Sequence, residues 1–352
     1  MKIVTVLGAR PQFIKAAAFS RTVLNRTKIE EIIVHTGQHY DQNMSDVFFE
    51  EMDIPKPKYM LHTGGKTHGA MTGQQLEKIE DILINEKPDI VLVYGDTNST
   101  LAGALAAIKL HIPIAHVESG LRSFNRKMPE EINRILTDQI SDFLFVPSES
   151  AKNNLLNEGV NEDKIFIVGD IMYDVAIYYK EKMVKPNWFD DLQVDHFILC
   201  TIHRAENTDD PIKLDNIFKG LGLTNKNIIL PLHPRTVNKI EQHKITIPLN
   251  VKIVDPVGYL EMVWLEVNSD LIVTDSGGVQ KEAYFHGKYC VTLREETEWV
   301  ELVENGLNVL VGTDSNQIKK HINNPKDNKY FTDNIYGDGE TSTAILNILS
   351  KF

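Results

Sequence analysis

Acidic side chains follow two neighbouring strand-like runs in the first half of the chain. Asp96 comes directly after the apolar run Ile90 to Tyr94, and Glu118 comes directly after Pro113 to Val117. A carboxylate at the end of an apolar strand is costly unless it is paired or used. A third acid, Glu130, opens a helix-like segment. Closely spaced carboxylates have pKa values that are pushed apart, as acid and base roles require, so these residues predict proton-transfer chemistry.

Two of these acids, Asp96 and Glu130, also have a structural explanation. Asp96, or Thr97 beside it, could cap the following helix. Early acids such as Glu130 suit the positive end of a helix dipole, and Glu130 also has the i, i+4 spacing of an ion pair with Arg134. Both explanations stay open at the level of sequence.

Glycines and cations recur where apolar runs end, which indicates anion binding. Gly8 and Arg10 follow the first run, and Lys15 comes about one helical turn later. Backbone amides at the start of a helix, together with two cationic side chains, make a good anion-binding site. In the second half, histidine–cation pairs and a serine–glycine–glycine turn follow three runs, and a later glutamate can point back at hydroxyls such as those of a ribose. These candidates are His203, Arg204, His233, Arg235, Ser276, Gly277, Gly278 and Glu282.

The anion-binding candidates have alternatives too. The segment after the first run could be a simple turn into a helix, with Pro11 at the first helical position. The histidines could be surface imidazoles. Glu282 could be a solvated helix residue. The twelve histidines are scattered, and Cys200 and Cys290 lie inside apolar runs. The sequence therefore predicts neither a metal site nor a disulfide framework.

Alternating β-rich runs and helix-like segments must position these residues. This alternation is typical of the α/β class with parallel sheets, and ligands of such sheets bind outside the carboxyl ends of the strands. The segment 173–194 is aromatic, charged and interrupted by proline, which indicates a connection. We expect two doubly wound Rossmann-like domains, over residues 1–172 and 173–335, facing a central cleft. A final helix over 336–352 could pack back on the N-terminal domain.

Length and charge limit the function. A chain of 352 residues suggests about two domains. Its net charge of −12 has the wrong sign for a nucleic-acid or anionic-membrane partner, so any phosphate must be held by a local cluster. The apolar stretch 101–117 is interrupted by Lys109, His111 and Pro113, and no signal peptide is evident at the start. We expect a cytoplasmic protein.

The ordered motifs resemble those of non-hydrolysing UDP-N-acetylglucosamine 2-epimerases over nearly the full length. The resemblance implies a GT-B-like fold, a cytoplasmic homodimer, and inversion of carbon 2 of a UDP-linked acetamido sugar. UDP would be eliminated to give a 2-acetamidoglucal and then added back, with no redox cofactor. The matching segments are Gly8-Ala9-Arg10-Pro11, Asp96-Thr97-Asn98-Ser99, His116-Val117-Glu118-Ser119-Gly120-Leu121-Arg122, Pro129-Glu130-Glu131-Ile132-Asn133-Arg134, His203-Arg204 and Asp275-Ser276-Gly277-Gly278.

The resemblance also implies residue roles. Three acids match the acid–base residues, a histidine matches the one near the leaving diphosphate, four residues match diphosphate contacts, and a glutamate matches the ribose ligand. In that order they are Asp96, Glu118 and Glu130; His203; Arg10, Ser276, Gly277 and Gly278; and Glu282. Which acid is the base stays open.

Some positions depart from the commonest family pattern. Gln12 stands where many members have glutamate, Tyr40 follows His39 where arginine is usual, and the loop His62 to Thr72 is rich in glycine and histidine. These features resemble the branch that acts on UDP-2,3-diacetamido-2,3-dideoxy-glucuronate for surface polysaccharide. Tyr40 also argues against the regulatory UDP-N-acetylglucosamine site that some members build from a Gln-His-Arg segment.

Three other functions share some of these features. A GT-B glycosyltransferase has the same nucleotide-binding end but needs an acceptor groove where the acids stand. A hydrolysing epimerase would release the free sugar and UDP, and a non-catalytic sensor would only bind the UDP-sugar.

Overall fold

The computed structural model describes residues 1–24, 28–38, 49, 53–326 and 334–352, and it divides into two units. Unit 1 contains Met1–Val175 and Ile335–Phe352, and unit 2 contains Ala176–Asn334. Each unit has a parallel sheet with crossover helices, so the α/β class and the two Rossmann-like, GT-B-type domains expected from the sequence are confirmed.

The described part of unit 1 contains a seven-stranded sheet of order β3-β2-β1-β4-β5-β6-β7. Every strand pair in it is parallel. Most of its strands are apolar and buried, as expected for strands covered on both faces. The strands are β1 Lys2–Leu7, β2 Glu30–His35, β3 Tyr59–Met60, β4 Ile90–Tyr94, β5 Ile114–Val117, β6 Phe143–Val146 and β7 Ile165–Ile167.

Helices cover the sheet of unit 1. Buried residues of β1 and β4 pack with Ile79 and Ala104 of two of these helices in one apolar cluster. The helices are Arg10–Leu24, His68–Glu86, Asn98–Lys109, Pro129–Ile140, Glu149–Asn157, Ile171–Lys180 and Thr341–Leu349, with a short 3₁₀ helix at Glu162–Lys164.

The described part of unit 2 contains a six-stranded sheet of order β10-β9-β8-β11-β12-β13. This is the doubly wound order, with a reversal between β8 and β11 where ligands of such sheets bind. Its strands are β8 Ile198–Thr201, β9 Ile228–Pro231, β10 Val251–Val254, β11 Ile272–Thr274, β12 Cys290–Thr292 and β13 Asn308–Leu310.

The helices of unit 2 enclose apolar cores on its sheet, which include both cysteines as free, buried thiols. The longer helices are Pro211–Gly222, Pro234–His243, Tyr259–Asn268, Gly277–Phe285 and Ser315–Asn323, and the shorter ones are Phe189–Leu192, Ala205–Thr208 and Val300–Glu304.

The segment 173–194 is more regular than the sequence suggested. The helix Ile171–Lys180 occupies its first part, and the division between the units falls inside this helix. The helix forms because Val175 and Tyr179 are one turn apart and both are fully buried. The first part of the segment that the sequence indicated as a connection is therefore helical.

The final helix Thr341–Leu349 belongs to unit 1. The Asp174 carboxylate accepts the backbone N–H groups of Thr341 and Ser342 at 3.0 and 2.7 Å, which satisfies the first turn of that helix. None of the described helices combines the length and apolar character needed to cross a membrane.

Candidate active site

The carboxyl ends of β1, β4 and β5 lie side by side in unit 1. Val6 is in register with Val93, and Tyr94 is in register with Val117. The loops that begin at Gly8, Gly95 and Glu118 therefore start from one edge of the sheet. The candidate acids of the first half and the candidate anion-binding segment after β1 meet at this edge.

Gln12 holds the first of these loops. Its Oε1 accepts the backbone N–H groups of Gly8 and Ala9 at 2.8 and 3.1 Å, and its Nε2 donates to the carbonyl of Tyr94 at 2.6 Å and the hydroxyl of Thr100 at 3.0 Å. A Cβ on Gly8 would lie 1.9 Å from the Ser99 hydroxyl, so only glycine fits there. Gln12 thus locks the turn after β1 to the end of β4.

Asp96 is not the cap of the next helix. Thr97 is the N-cap of Asn98–Lys109, and it accepts the N–H of Thr100 at 3.3 Å. Asp96 is instead paired with Arg134, with 2.5 Å between Oδ2 and Nη2. Desolvation raises the pKa of Asp96, and Glu118 and Glu130 act in the same direction, while Arg134 and Lys15 oppose it. Asp96 is therefore a more basic carboxylate than an ordinary aspartate.

Glu118 forms an ion pair with Lys15, which comes from the helix after β1. Both side chains are mostly buried. Glu118 has a φ of +70°, a left-handed conformation that costs a non-glycine residue of order 1–3 kcal/mol. Such strain persists where the surrounding structure holds the residue, and it directs the Glu118 side chain to its partner at the sheet edge.

The two adjacent glutamates of the helix Pro129–Ile140 differ in environment. Glu130 is exposed, whereas Glu131 is buried and accepts the N–H groups of Ser123 and Phe124, each at 2.9 Å. Burial alone would raise the pKa of Glu131, but these bonds and Arg134 lower it. Glu131 therefore holds a loop and Arg134 in place. The i, i+4 spacing favoured a pair between Arg134 and Glu130, but Arg134 pairs with Glu131.

A buried carboxylate, Asp275, organises the corresponding edge of unit 2. Thr274 at the end of β11 is in register with Thr201 at the end of β8. Asp275 accepts the backbone N–H groups of His203 and Arg204 at 3.1 Å and the Asn207 amide at 3.1 Å. Burial would raise the pKa of Asp275, but contacts with His203, Arg204 and Asn207 lower it, so it is ionised.

The imidazole of His203 is oriented by this carboxylate. Its Nδ1 lies 3.1 Å from Asp275 Oδ1, and more than half of the His203 side chain is exposed. Because Nδ1 is used, Nε2 is the ring atom that can reach a ligand. An N–H at Nε2 can donate to a negatively charged ligand atom.

The serine–glycine–glycine turn forms a helix N-terminus. Ser276 caps the helix Gly277–Phe285 and accepts the N–H of Val279 at 3.4 Å. Gly277 and Gly278 lie in the first turn, where N–H groups have no partner within the helix. A Cβ on Gly277 would lie 2.6 Å from Glu298 Oε1, so a larger residue there would have to displace the end of the Glu298 side chain. The turn offers backbone donors and a positive dipole end to an anion.

The other cationic candidates of unit 2 have protein partners. Arg235 Nη2 lies 3.1 Å from Asp209 Oδ2, and Arg204 Nη1 lies 3.6 Å from Glu206 Oε1. His233 is the N-cap of Pro234–His243 and accepts the N–H of Arg235 at 3.3 Å. His233 thus has a local structural role as a helix cap, and both arginines have acidic neighbours.

Glu282 lies near a second buried carboxyl, Glu266. Desolvation, followed by the proximity of Glu266, raises the pKa of Glu282 to about 8. Burial raises the pKa of Glu266 to about 8 as well. Glu266 Oε2 lies 3.5 Å from His286 Nε2, and burial lowers the pKa of His286 to about 4. The region around Glu282 is therefore a desolvated group of titratable side chains.

The sequence analysis did not assign Gln12, Glu131 or Asp275 to the site. Asp275 had the same signal as Glu118, a charge directly after an apolar strand. Gln12 and Glu131 had no signal of their own, because only the fold shows which backbone groups they bind. Tyr40 and His39 lie outside the described residues.

Comparison with known proteins agrees with this geometry. A family model described as UDP-N-acetylglucosamine 2-epimerase matches residues 21–350. The chain is 54% identical over its whole length, and over the whole length of the relative, to the UDP-2,3-diacetamido-2,3-dideoxy-D-glucuronate 2-epimerase of Pseudomonas aeruginosa. It is 53% identical to a UDP-N-acetylglucosamine 2-epimerase homologue of Methanococcus maripaludis, with 99% of each chain covered.

Solved structures show the same similarity in three dimensions. A structure of the Methanocaldococcus jannaschii UDP-GlcNAc 2-epimerase in complex with UDP-GlcNAc and UDP matches with a TM-score of 0.85 and 45% identity, and all of both chains is covered. The Neisseria meningitidis enzyme bound to UDP-GlcNAc matches with a TM-score of 0.86 and 33% identity, also over all of both chains.

Proposed function

The chain belongs to the UDP-N-acetylglucosamine 2-epimerase family, and from that premise we propose that it inverts carbon 2 of a UDP-linked acetamido sugar without hydrolysing it. The observation that carries the proposal is the cluster at the sheet edge of unit 1. There Asp96 and Glu118 follow adjacent strands, each paired with a cation, and the pKa of Asp96 is raised. This is an acid–base arrangement, whereas a transferase needs an acceptor groove at that edge.

The reaction requires one proton transfer in each of two steps. In the first step a carboxylate takes the proton from carbon 2, the C–H electron pair forms the C1–C2 double bond, and the bond from carbon 1 to the diphosphate breaks with its electron pair going to UDP. In the second step a proton is delivered to the opposite face of carbon 2 and the UDP oxygen bonds to carbon 1. We assign these proton transfers to Asp96, Glu118 and Glu130.

Unit 2 supplies groups suited to the UDP portion in this proposal. The exposed Nε2 of His203 and the first-turn amides of Gly277 and Gly278 stabilise the negative charge that grows on the leaving diphosphate. We also propose Arg10 and Lys15 as cationic ligands of the substrate, and Glu282 as the acceptor of hydroxyl groups of the ribose. Arg134, Arg204, His233 and Arg235 have protein partners, and we propose that they support substrate binding through those pairs.

We propose UDP-2,3-diacetamido-2,3-dideoxy-glucuronate as the physiological substrate, used to make a surface polysaccharide precursor. The similarity to the Pseudomonas aeruginosa enzyme over the full length supports this choice. The family pattern at Gln12 and in the segment His62 to Thr72 also supports it, although the second half of this predicted loop is the start of the helix His68–Glu86. UDP-N-acetylglucosamine is the second candidate, because several relatives carry that name.

A substrate panel tests the proposal. The purified protein is incubated with each of the two UDP-sugars, and proton NMR follows the signals of the hydrogens on carbons 1 and 2. We expect an equilibrium mixture of two epimers that both keep UDP, with faster turnover of the diacetamido uronate. Release of free sugar and UDP would instead identify a hydrolysing enzyme, and turnover only with an added acceptor would identify a transferase.

We further propose a cytoplasmic homodimer. The helix Pro129–Ile140 supports it, because Met128, Ile132 and Leu136 recur every four residues and are 37%, 38% and 46% exposed. A second copy of the chain would cover this apolar stripe. Light scattering should give twice the monomer mass for the wild type and the monomer mass for the double variant Ile132→Glu, Leu136→Glu; a monomeric wild type would contradict the proposal.

A further inference from the structure

His116 links two of the site loops from inside the fold. It is the third residue of β5, and it is fully buried. Its Nε2 lies 2.7 Å from the carbonyl oxygen of Gly95, and its Nδ1 lies 2.7 Å from Asp138 Oδ1. A carbonyl oxygen can only accept, so Nε2 carries a proton. The ring therefore donates a hydrogen bond to the residue that immediately precedes Asp96.

Asp138 binds the loop that carries Glu118. It is almost completely buried, and its Oδ2 accepts the backbone N–H of Gly120 at 3.2 Å. The same oxygen lies 2.7 Å from Arg122 Nη1, while Arg122 Nε and Nη2 each donate to the Glu158 carboxylate at 2.7 Å. One carboxylate thus holds both ends of the turn from Gly120 to Arg122.

The position of Asp138 in the chain gives these bonds their significance. It lies near the end of the helix Pro129–Ile140, whose first turns carry Glu130 and Arg134. Through His116 it reaches the loop of Asp96, and through Gly120 it reaches the loop of Glu118. Three segments that carry the proposed acid–base residues are therefore joined at one buried carboxylate.

We propose that Asp138 and His116 are positioning residues for the epimerisation, which set the separation of Asp96 and Glu118. The inference rests on the proposed function. Neither residue reaches the sheet edge itself, since both side chains are sealed from solvent. Their role is to keep the two loops in the geometry that proton transfer at carbon 2 requires, because a shift of about 1 Å can cost on the order of 100-fold in rate.

The pairing predicts which substitution is tolerated. In Asp138→Asn, the amide N–H can donate to Nδ1 of His116 while Nε2 keeps its bond to the carbonyl of Gly95, and the amide oxygen can accept from Gly120 and Arg122. Asp138→Ala removes the contacts of this side chain with His116, Gly120 and Arg122. A positioning role therefore requires that the asparagine variant rescue what the alanine variant loses.

The test measures kcat and KM for the UDP-sugar, and the Kd for UDP by calorimetry, in both variants at a temperature where thermal unfolding shows them folded. We expect Asp138→Ala to lower kcat about 100-fold with KM and Kd changed by less than about threefold, and Asp138→Asn to stay within about fivefold of wild-type kcat. Asp142→Ala is the matched control, because this carboxylate accepts the N–H of Ile114 at the opposite end of β5. It should leave kcat unchanged.

A second variant keeps the proposal testable if Asp138→Ala does not fold. His116→Asn is too short to span Asp138 and Gly95, and it should lower kcat in the same way. Wild-type kcat in a folded Asp138→Ala or His116→Asn protein would overturn the proposal, as would an Asp138→Asn variant as slow as Asp138→Ala. Failure of the proposed function would look different, because the wild type itself would then epimerise neither UDP-sugar.

Discussion

Replacing Glu266 by glutamine should stabilise the protein, and more so as the pH rises. Glu266 is 1% exposed, and burial raises its pKa from 4.5 to about 8. The folded chain therefore keeps this carboxyl protonated while the unfolded chain ionises it, so its contribution to stability is lost as the pH rises from 4.5 toward about 8. At about 1.4 kcal/mol per pH unit, the loss is about 3 kcal/mol at pH 7. Glutamine has the same shape and does not ionise.

Thermal and urea unfolding between pH 4.5 and 8.5 provide the assay. We expect Glu266→Gln to match the wild type near pH 4.5 and to exceed it by about 3 kcal/mol at pH 7, or about 6–12 °C in the midpoint of unit 2. Glu304→Gln, at an exposed glutamate of the same unit, is the control and should follow the wild type at every pH. A difference between Glu266→Gln and wild type that does not depend on pH would refute the reasoning.

Three further outcomes follow from the site. Asp96→Asn and Glu118→Gln should each keep the wild-type Kd for UDP in calorimetry but lose at least about 100-fold in kcat, since each removes a proton-transfer group; unchanged turnover in both would refute their roles. Asp275→Asn should lower kcat in a protein that thermal unfolding shows to be folded, because the imidazole of His203 loses the carboxylate that orients it; wild-type kcat in the folded variant would contradict this. Gln12→Ala should lower the free energy of unfolding by about 2–4 kcal/mol in urea titrations, because it orphans buried backbone groups; a loss below measurement error would contradict it.

The sequence predicted the sheet strands well because their signal is local. Continuous apolar runs such as Ile90 to Tyr94 were identified to within a residue. The short edge strands β3 and β13 were not identified, since two or three residues carry no clear period. The helix Ile171–Lys180 was missed because its tyrosines and charges resemble a linker until the packing of Tyr179 is known.

The sequence predicted those candidate site residues that directly follow an apolar strand. Asp96 and Glu118 were found in this way, and the structure brings them to one edge. Asp138, Gln12 and Glu131 were not, because each binds backbone groups of another segment that only the fold brings within reach. A buried polar residue inside a helix looks the same in the sequence whether it holds a loop or caps a turn. Only the three-dimensional contacts separate these roles.

Exchange at carbon 2 in heavy water tests the central claim most directly. The wild type is incubated with the UDP-acetamido sugar in deuterium oxide, and NMR and mass spectrometry follow the hydrogen on carbon 2. We predict that deuterium enters carbon 2 as the two epimers equilibrate, with UDP still attached to both, and that Asp96→Asn suppresses this uptake. Turnover to an acceptor with no deuterium at carbon 2 would contradict the assignment of an elimination and re-addition reaction.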